Sequence, residues 1–447
     1  MAKELDMATG IPKGYRSQNR PSLRLDYQNK ATEKEILQTS PTNIKRLEEF
    51  GCEQIAKNRL FFAENLGALA ALRSDPSVCG HVKLVYIDPP FSTKSVFQSR
   101  TLNHAYEDIL HGEEFIEFIR KRLILLRELL AEDGSIYVHL DEKMVFHIKI
   151  IMDEVFGAEN YRNLITRKKC NPKNYTRKKY GNISDYILFY TKSDSYVWNR
   201  PVEEWTDARA KEYQYIEAKT GRRFMKVPVH APGVRHGATG QPWRGKLPPP
   251  GKHWQFSPDK LDEFDAKGEI FWSANGNPRR KVYLDENAGI GIQDIWLDYK
   301  DAHNQNVKIT GYPTEKNPDL LKRIIEASSC EGDLILDCFS GSGTTLAVAS
   351  LLNRRWIGID NSREAIKTTL VRFAKGTEVM GDFVNGKSQR IEPETQFIFP
   401  FKPDEQPAHD HHPITDFNLY AEHSLSLSLD ELARRQIHSL AETTAAE

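Results

Sequence analysis

Apolar positions along the chain follow two periods, and their alternation predicts the architecture. Leu60 to Ala63 form a short continuous apolar run that suits a strand; Glu64 and Asn65 end it and a helix follows. HVKLVYIDPP reads as a second strand. EEFIEFIRKRLILLRELLAEDG places Phe115, Phe118, Ile119, Leu123, Leu126 and Leu130 at helical spacing, with Gly134 as its stop. SIYVHLD is a third strand, EKMVFHIKIIMDEVFG another helix and DYILFYTKS a further strand. After residue 309 the rhythm returns: DLLKRIIEASS is a helix, DLILDCF a strand, TLAVASLLN a helix, RWIGID a strand and SREAIKTTLVRF a helix. Strand and helix alternating at this pitch predict an α/β fold with a mainly parallel sheet.

Between the two rhythmic stretches the pattern breaks. Residues 196–308 are rich in Trp, Gly, Pro, Arg and Lys, as in HAPGVRHGATGQPWRGKLPPPGKHWQF, and suit an inserted domain. The expected organisation is an arm with short helices (1–59), the first part of the α/β domain (60–195), the insertion (196–308), the second part (309–400) and an acidic tail (401–447). The helices of the first segment are placed over TEKEILQTSPTNIKRLEEFG. The tail, with HDHH at His409 to His412, reads as disordered.

Composition changes this picture little. The 447 residues carry 62 basic and 62 acidic side chains, so charge alone selects no partner. Locally it does: residues 162–181 hold eight basic residues and no acid, a density that suits a polyanion. Five scattered cysteines without a CxxC pair suit a reducing compartment and no zinc site. The polar start and the lack of any long apolar run predict no leader, no membrane span and a cytoplasmic location.

Two motifs carry chemistry. LDCFSGSGTT runs from a strand through a glycine turn into a helix, so backbone and free N–H groups can approach a ligand closely. It is not a P-loop, because no lysine precedes Thr344. It also lacks the third glycine of the dinucleotide fingerprint, since Leu346 stands there. The next strand ends in Asp360, where a carboxylate suits the two hydroxyls of a ribose. A glycine turn alone is equally a plain connection; with Asp360 an adenosine-bearing ligand is favoured. The second motif is YIDPPF. Asp88 ends a strand, where open α/β sheets bind ligands, and Pro89 and Pro90 stiffen the corner. The Asp88 carboxylate and the Pro89 carbonyl can accept from one NH₂ group, while Phe91 stacks on a planar ring. By itself the corner could be a strand end with a solvated cap.

Together, YIDPPF followed by LDCFSGSGTT resembles the DNA amino-methyltransferases, which transfer the methyl of S-adenosylmethionine to adenine N6 or cytosine N4. The catalytic motif precedes the cofactor motif, an order similar to the permuted beta class. The resemblance covers about Leu60 to Phe373, with RLFFAENLGAL, GYPTEKNPDLLKRIIEASS and RRWIGIDNSREAI as further matches. It implies a Rossmann-like methyltransferase sheet, circularly permuted, with a target-recognition domain inserted. It assigns catalysis to Asp88, Pro89, Pro90 and Phe91. S-adenosylmethionine falls to Glu64, Lys316, Asp337, Phe339, Gly341, Ser342, Gly343, Thr344 and Asp360, with no metal. Departures are Ala63-Glu64 for the usual Gly-Asp, Cys338 for proline, Phe91 for tyrosine and Asn317 inserted before Pro318.

Under this resemblance the partner is double-stranded DNA, with the target base flipped into the Asp88 pocket. Lys168, Lys169, Lys173, Arg177, Lys178 and Lys179 become candidate phosphate contacts. Arg235, Arg244, Lys246, Arg279 and Arg280 of the insertion are candidates for base or phosphate contacts, unranked. Trp243, Trp254 and Trp272 are expected in a core. The resemblance implies the modification component of a restriction–modification system or a stand-alone methylase, with a restriction endonuclease subunit and a second copy of the chain open as partners. Asp88 favours adenine; the cytosine-N4 enzymes more often have serine there, and a protein-glutamine methyltransferase would have asparagine. A DNA-binding specificity subunit without catalysis is the alternative from another class.

Overall fold

The computed structural model describes residues 23–49, 58–90, 96–98, 104–107, 112–172, 178, 180–203, 211–284, 289–301, 308–309, 315–379 and 413–426. The chain forms two compact units: Met1–Asn199 with Gln293–Glu447, and Arg200–Ile292.

The first unit carries a ten-stranded sheet. In chain order its strands are β1 (Ile44–Glu49), β2 (Asn58–Phe62), β3 (Val82–Ile87), β4 (Leu130–Leu140), β5 (Tyr161–Lys168), β6 (Ser184–Thr191), β7 (Ile295–Trp296), β8 (Leu334–Asp337), β9 (Arg355–Asp360) and β10 (Phe417–Glu422). Across the sheet the order is β1-β10-β2-β9-β8-β3-β4-β6-β5-β7. The strands from β10 to β4 run parallel. Antiparallel pairing enters at β1–β10 and on both sides of β6. Among the described residues, the helices of five residues or more are α1 (Glu33–Leu37), α2 (Asn65–Arg73), α3 (Glu113–Leu129), α4 (Val145–Phe156), α5 (Pro258–Ala266, in the second unit), α6 (Pro318–Ser328), α7 (Thr344–Leu351) and α8 (Arg363–Lys375).

The order places the ligand edge. After β3 the chain moves through α3 to β4 on one side; after β8 it moves through α7 to β9 on the other. β3 and β8 are neighbours, so a topological switch point lies between them, and such points open a crevice at the carboxyl ends of the strands. Val85, Ile87, Ile136, Val138, Leu334 and Leu336 fill the centre of the sheet with little or no exposure, and α3 covers it with Phe115, Ile119, Leu123 and Leu126. Each such buried aliphatic contributes about 1.5–3 kcal/mol over an exposed one, which makes the strand ends a firm base for the site.

Four expectations need correction. Residues 44–49, placed in short helical elements, form strand β1 against β10. The tail is not wholly irregular: Phe417, Leu419 and Ala421 alternate inward and put β10 between β1 and β2. Gly134 does not end α3, because Leu130 passes directly into β4. The insertion is narrower than 196–308. Trp198 stacks on Phe189 at 5.8 Å and Trp296 lies buried in β7 beside β5, so residues 200–292 remain.

The second unit has a four-stranded antiparallel sheet of Tyr215–Ile216, Arg223–Pro228, Pro278–Tyr283 and Ile270–Trp272. Leu261 and Phe264 of α5 pack with Val229, Trp243, Trp254 and Ile270, and Trp272 lies against them. The three indole N–H groups donate to Asp262, Gln241 and Asp265, as buried tryptophans require. These tryptophans are core, as expected.

Candidate active site

Four neighbouring strands deliver carboxylates to the crevice. Asp88 follows β3, Asp337 ends β8, Asp360 ends β9, and Glu64 follows β2. Helices α2, α7 and α8 begin at that same edge, so their unpaired N–H groups add positive potential there.

At the β3 corner, Pro89 is buried and Pro90 half-buried; Phe91 lies outside the described residues. Asp88 Oδ2 sits 2.7 Å from Lys316 Nζ. Asp88 Oδ1 is buried and has no hydrogen-bond partner among the described residues. A lone carboxylate oxygen without a donor is costly, and it fits a ligand N–H. Lys316 was expected on the cofactor side; the structure brings it to the Asp88 corner. Behind the corner, the Tyr86 hydroxyl lies 2.8 Å from His139 Nδ1. His139 Nε2 is 3.6 Å from Asp185, whose other oxygen accepts from Lys169 at 2.9 Å. Burial, and next the Lys316 ammonium, push the imidazole down, so His139 is neutral at neutral pH. Burial and the Asp88 charge push the Tyr86 phenol well up.

The glycine turn is held from three sides. Gly341 and Gly343 have φ of 49° and 72°, in the left-handed region. A Cβ on Gly343 would come within 2.7 Å of the Thr369 side chain. From below, Asp337 accepts from Phe339 N at 3.0 Å and from the Thr345 hydroxyl at 2.6 Å. From β9, Asp360 accepts from Gly341 N at 2.9 Å and Ser362 N at 2.8 Å. From α8, Thr369 donates to Gly341 O at 3.0 Å and Arg372 Nε to Ser342 O at 2.7 Å. The hydroxyls of Ser342 and Thr344 are 3.1 Å apart. Burial pushes Asp337 up to about 7, with the Asp88 and Asp360 charges adding, and pushes Asp360 up to about 6. Asp337 therefore braces the turn from beneath, whereas Asp360 remains partly open at the strand end.

Glu64 begins α2, and its Oε2 accepts from Leu66 N at 2.8 Å and Gly67 N at 3.1 Å. Its Oε1 is 2.5 Å from Arg122, whose guanidinium lies over Phe118 at 3.4 Å. Phe118 is 6.0 Å from the half-buried Phe339. These rings and Glu64 form one wall. Arg122, Phe118 and Arg372 were not foreseen, because nothing in local spacing marks them. Ser340, inside the glycine motif, has a buried hydroxyl without a partner among the described residues; its place in the motif was a usable signal.

The basic candidates separate. Lys168 is half-buried at the end of β5, Lys169 turns inward to Asp185, and Lys178 is exposed. Lys173, Arg177 and Lys179 lie outside the described residues. In the second unit Arg280 lies over Phe264 at 4.2 Å, Arg244 pairs with Asp262 and Asp265, and Lys246 donates to Gly276 O. Arg235 and Arg279 are exposed.

The sequence profile of the N6/N4 DNA methylase family matches residues 82–371, more than half of the chain. The chain belongs to this family of DNA methylases. It is 47% identical over 422 residues to the type II methyltransferase M.EcaI of Enterobacter cloacae, covering 93% of this chain and 90% of that one. It is 24% identical over 349 residues to the type II methyltransferase M.KpnI of Klebsiella pneumoniae, with coverage of 71% and 82%. Among solved structures, M1.HpyAVI in complex with S-adenosylmethionine aligns with a TM-score of 0.40 and 15% identity, over 70% of this chain and 98% of that one. The methyl donor of DNA methylases is S-adenosylmethionine. The crevice fits such a donor: Asp360 stands partly open at the strand end beside the glycine turn, and the buried Ser340 hydroxyl within the same motif has no partner among the described residues. No helix among the described residues of this methylase is long and apolar enough to cross a membrane.

Proposed function

We propose that this DNA methylase transfers a methyl group to the N6 amine of adenine, as the modification component of a restriction–modification system. The observation that carries the reading is the buried, unpartnered Oδ1 of Asp88 beside the rigid Pro89-Pro90 corner. An exocyclic NH₂ offers two donors, which the Asp88 carboxylate and the Pro89 carbonyl accept together. Accepting both hydrogens draws the amine lone pair out of the ring π-system and aims it across the switch point toward the glycine turn. The Phe91 ring would hold the base plane. Once flipped, the base leaves a duplex whose phosphates the 162–181 segment and the exposed Arg235 and Arg279 would contact. S-adenosylmethionine, when bound, supplies the electrophilic methyl on a sulfonium. Glu64 would accept from its adenine amine, Asp360 from its ribose, and the Gly341 to Thr344 backbone would seat its methionine portion. Attack of the amine on that methyl would form the C–N bond as the C–S bond is given up, and the N–H proton then shed would pass to the Asp88 carboxylate that accepts from it and on to solvent.

Adenine rather than cytosine rests on Asp88, since the permuted cytosine-N4 enzymes more often carry serine at this position. The likeness to M.EcaI and M.KpnI, both type II methyltransferases, supports the restriction–modification setting. The test is mass spectrometry of nucleosides from unmethylated DNA treated with the protein and S-adenosylmethionine. N6-methyladenine is expected; N4-methylcytosine in its place would overturn the base assignment. Asp88→Ala is expected to lower transfer by about 10²–10³-fold or more, as loss of a preorganised hydrogen-bond partner does. DNA affinity should change little, and normal methylation by this variant would sink the mechanism.

A further inference from the structure

Lys316 is 7% exposed and salt-bridged to Asp88 at 2.7 Å. A buried ammonium is expensive to place, so its neighbours must hold it. Glu315, 3% exposed, pairs with Arg372 of α8, and Arg372 Nε also donates to Ser342 O in the glycine turn at 2.7 Å. Asn317 caps α6 by accepting from Asp319 N at 2.9 Å, and Pro318 follows in the first turn of that helix. Three consecutive residues are thus fixed to three elements: the glycine turn, the catalytic corner and α6.

A carboxylate free to turn about its Cβ–Cγ bond presents either oxygen to a substrate. Here one oxygen is taken by a cation that the strut fixes, and the other is left without a donor among the described residues. We propose that Lys316 is the positioning residue for Asp88. The strut 315–317 sets the carboxylate so that Oδ1 alone meets the target amine, and it keys that orientation to the cofactor turn through Glu315 and Arg372. The proposal rests on Asp88 being the acceptor of that amine. It departs from the expectation that Lys316 reaches the donor carboxylate or lines the donor pocket.

The experiment compares wild type, Lys316→Met, Lys316→Arg and Asp88→Ala in three assays: donor binding by calorimetry, DNA binding, and single-turnover methylation with both substrates saturating. Lys316→Met is expected to slow the single turnover about 10²-fold, the effect of a small misplacement at the reacting centre, while both affinities stay within about threefold of wild type. Lys316→Arg should recover part of the rate, and Lys316→Met should slow the Asp88→Ala protein no further. A roughly tenfold loss of donor affinity with an unchanged saturated rate would make Lys316 a donor ligand and overturn the proposal. So would a wild-type rate in Lys316→Met. Lys316→Gln takes the same measurements if Lys316→Met does not fold. A double-mutant cycle on unfolding between Asp88→Asn and Lys316→Met reads the coupling without any catalysis. Non-additivity is expected, and additivity would overturn the strut. If wild-type protein methylates no DNA, the functional reading fails and this cycle still decides whether the two side chains act together.

Discussion

At the scale of single residues, the crevice is an acidic place waiting for a cation. Burial pushes Asp337 up to about 7 and Asp360 up to about 6, above the ordinary carboxylate range. A carboxylate raised on folding binds more protons folded than unfolded. The stability these two groups contribute is therefore fullest below about pH 4 and is lost as pH rises toward about 7. A ligand carrying sulfonium and ammonium charges reverses the sign, because it favours the ionised carboxylates. Donor affinity should rise from about pH 5.5 to about pH 7.5, by no more than roughly tenfold per unit for each linked proton, and then level off. Titration calorimetry in two buffers of different ionisation enthalpy would count the released protons. A flat profile with no proton release would show that the donor's charges do not sense these acids. Part of this was legible in the sequence: Asp88 and the glycines stood out because backbone geometry restricts those positions. The Lys316–Asp88 contact was not, since it joins residues more than two hundred positions apart and no local spacing encodes it.

At the scale of elements, the periodic stretches were readable because both periods were strong. The central strands are buried on both faces and appear as apolar runs, and α3 repeats its apolar face over 17 residues. What escaped was strand pairing at the edge. Ile44–Glu49 is mostly polar, and it becomes a strand only by pairing with a segment from the far end of the chain. The β10 segment hides three inward residues, Phe417, Leu419 and Ala421, in a polar tail. Its place is structural rather than ornamental: β10 pairs with both β1 and β2, and Glu422 accepts from the backbone N–H of Glu64 at 3.1 Å. Leu419, 1% exposed, should cost about 2–5 kcal/mol on replacement by alanine, as buried leucines do. Urea unfolding of Leu419→Ala would measure it. A loss below about 0.5 kcal/mol, the range of ordinary surface substitutions, would mean that β10 is dispensable to the sheet.

At the scale of the whole molecule, the insertion has a definable seam. Val202–Glu203 pairs antiparallel with Ile290–Gly291, and Ile292 N donates to Pro201 O at 3.1 Å. The second unit therefore begins and ends at adjacent positions, so the main fold need not reach across it to stay connected. On the first unit's side, Asn199 is tied to α6 by hydrogen bonds to Glu326, Ala327 and Ser329 carbonyls, and Asp294 O accepts from Thr166 N beside β7. Both stumps are thus anchored in the first unit independently of residues 200–292. Every described residue assigned to donor binding or to the catalytic corner also lies in the first unit. Replacing residues 203–290 with a short Gly-Ser linker, whose flexibility imposes no geometry, should leave a folded protein. That protein should bind S-adenosylmethionine within about threefold of the full chain, less than the tenfold that corresponds to 1.4 kcal/mol. Sequence-selective methylation should be lost, because every insertion residue that is a candidate for base contact, Arg235, Arg244, Lys246, Arg279 and Arg280, goes with it. Calorimetry for the donor and methylation of a mixed-sequence DNA pool, read base by base, would check both halves. Retained donor binding with lost selectivity is the expected result, whereas unchanged selectivity would move target recognition onto the first unit and its basic segment.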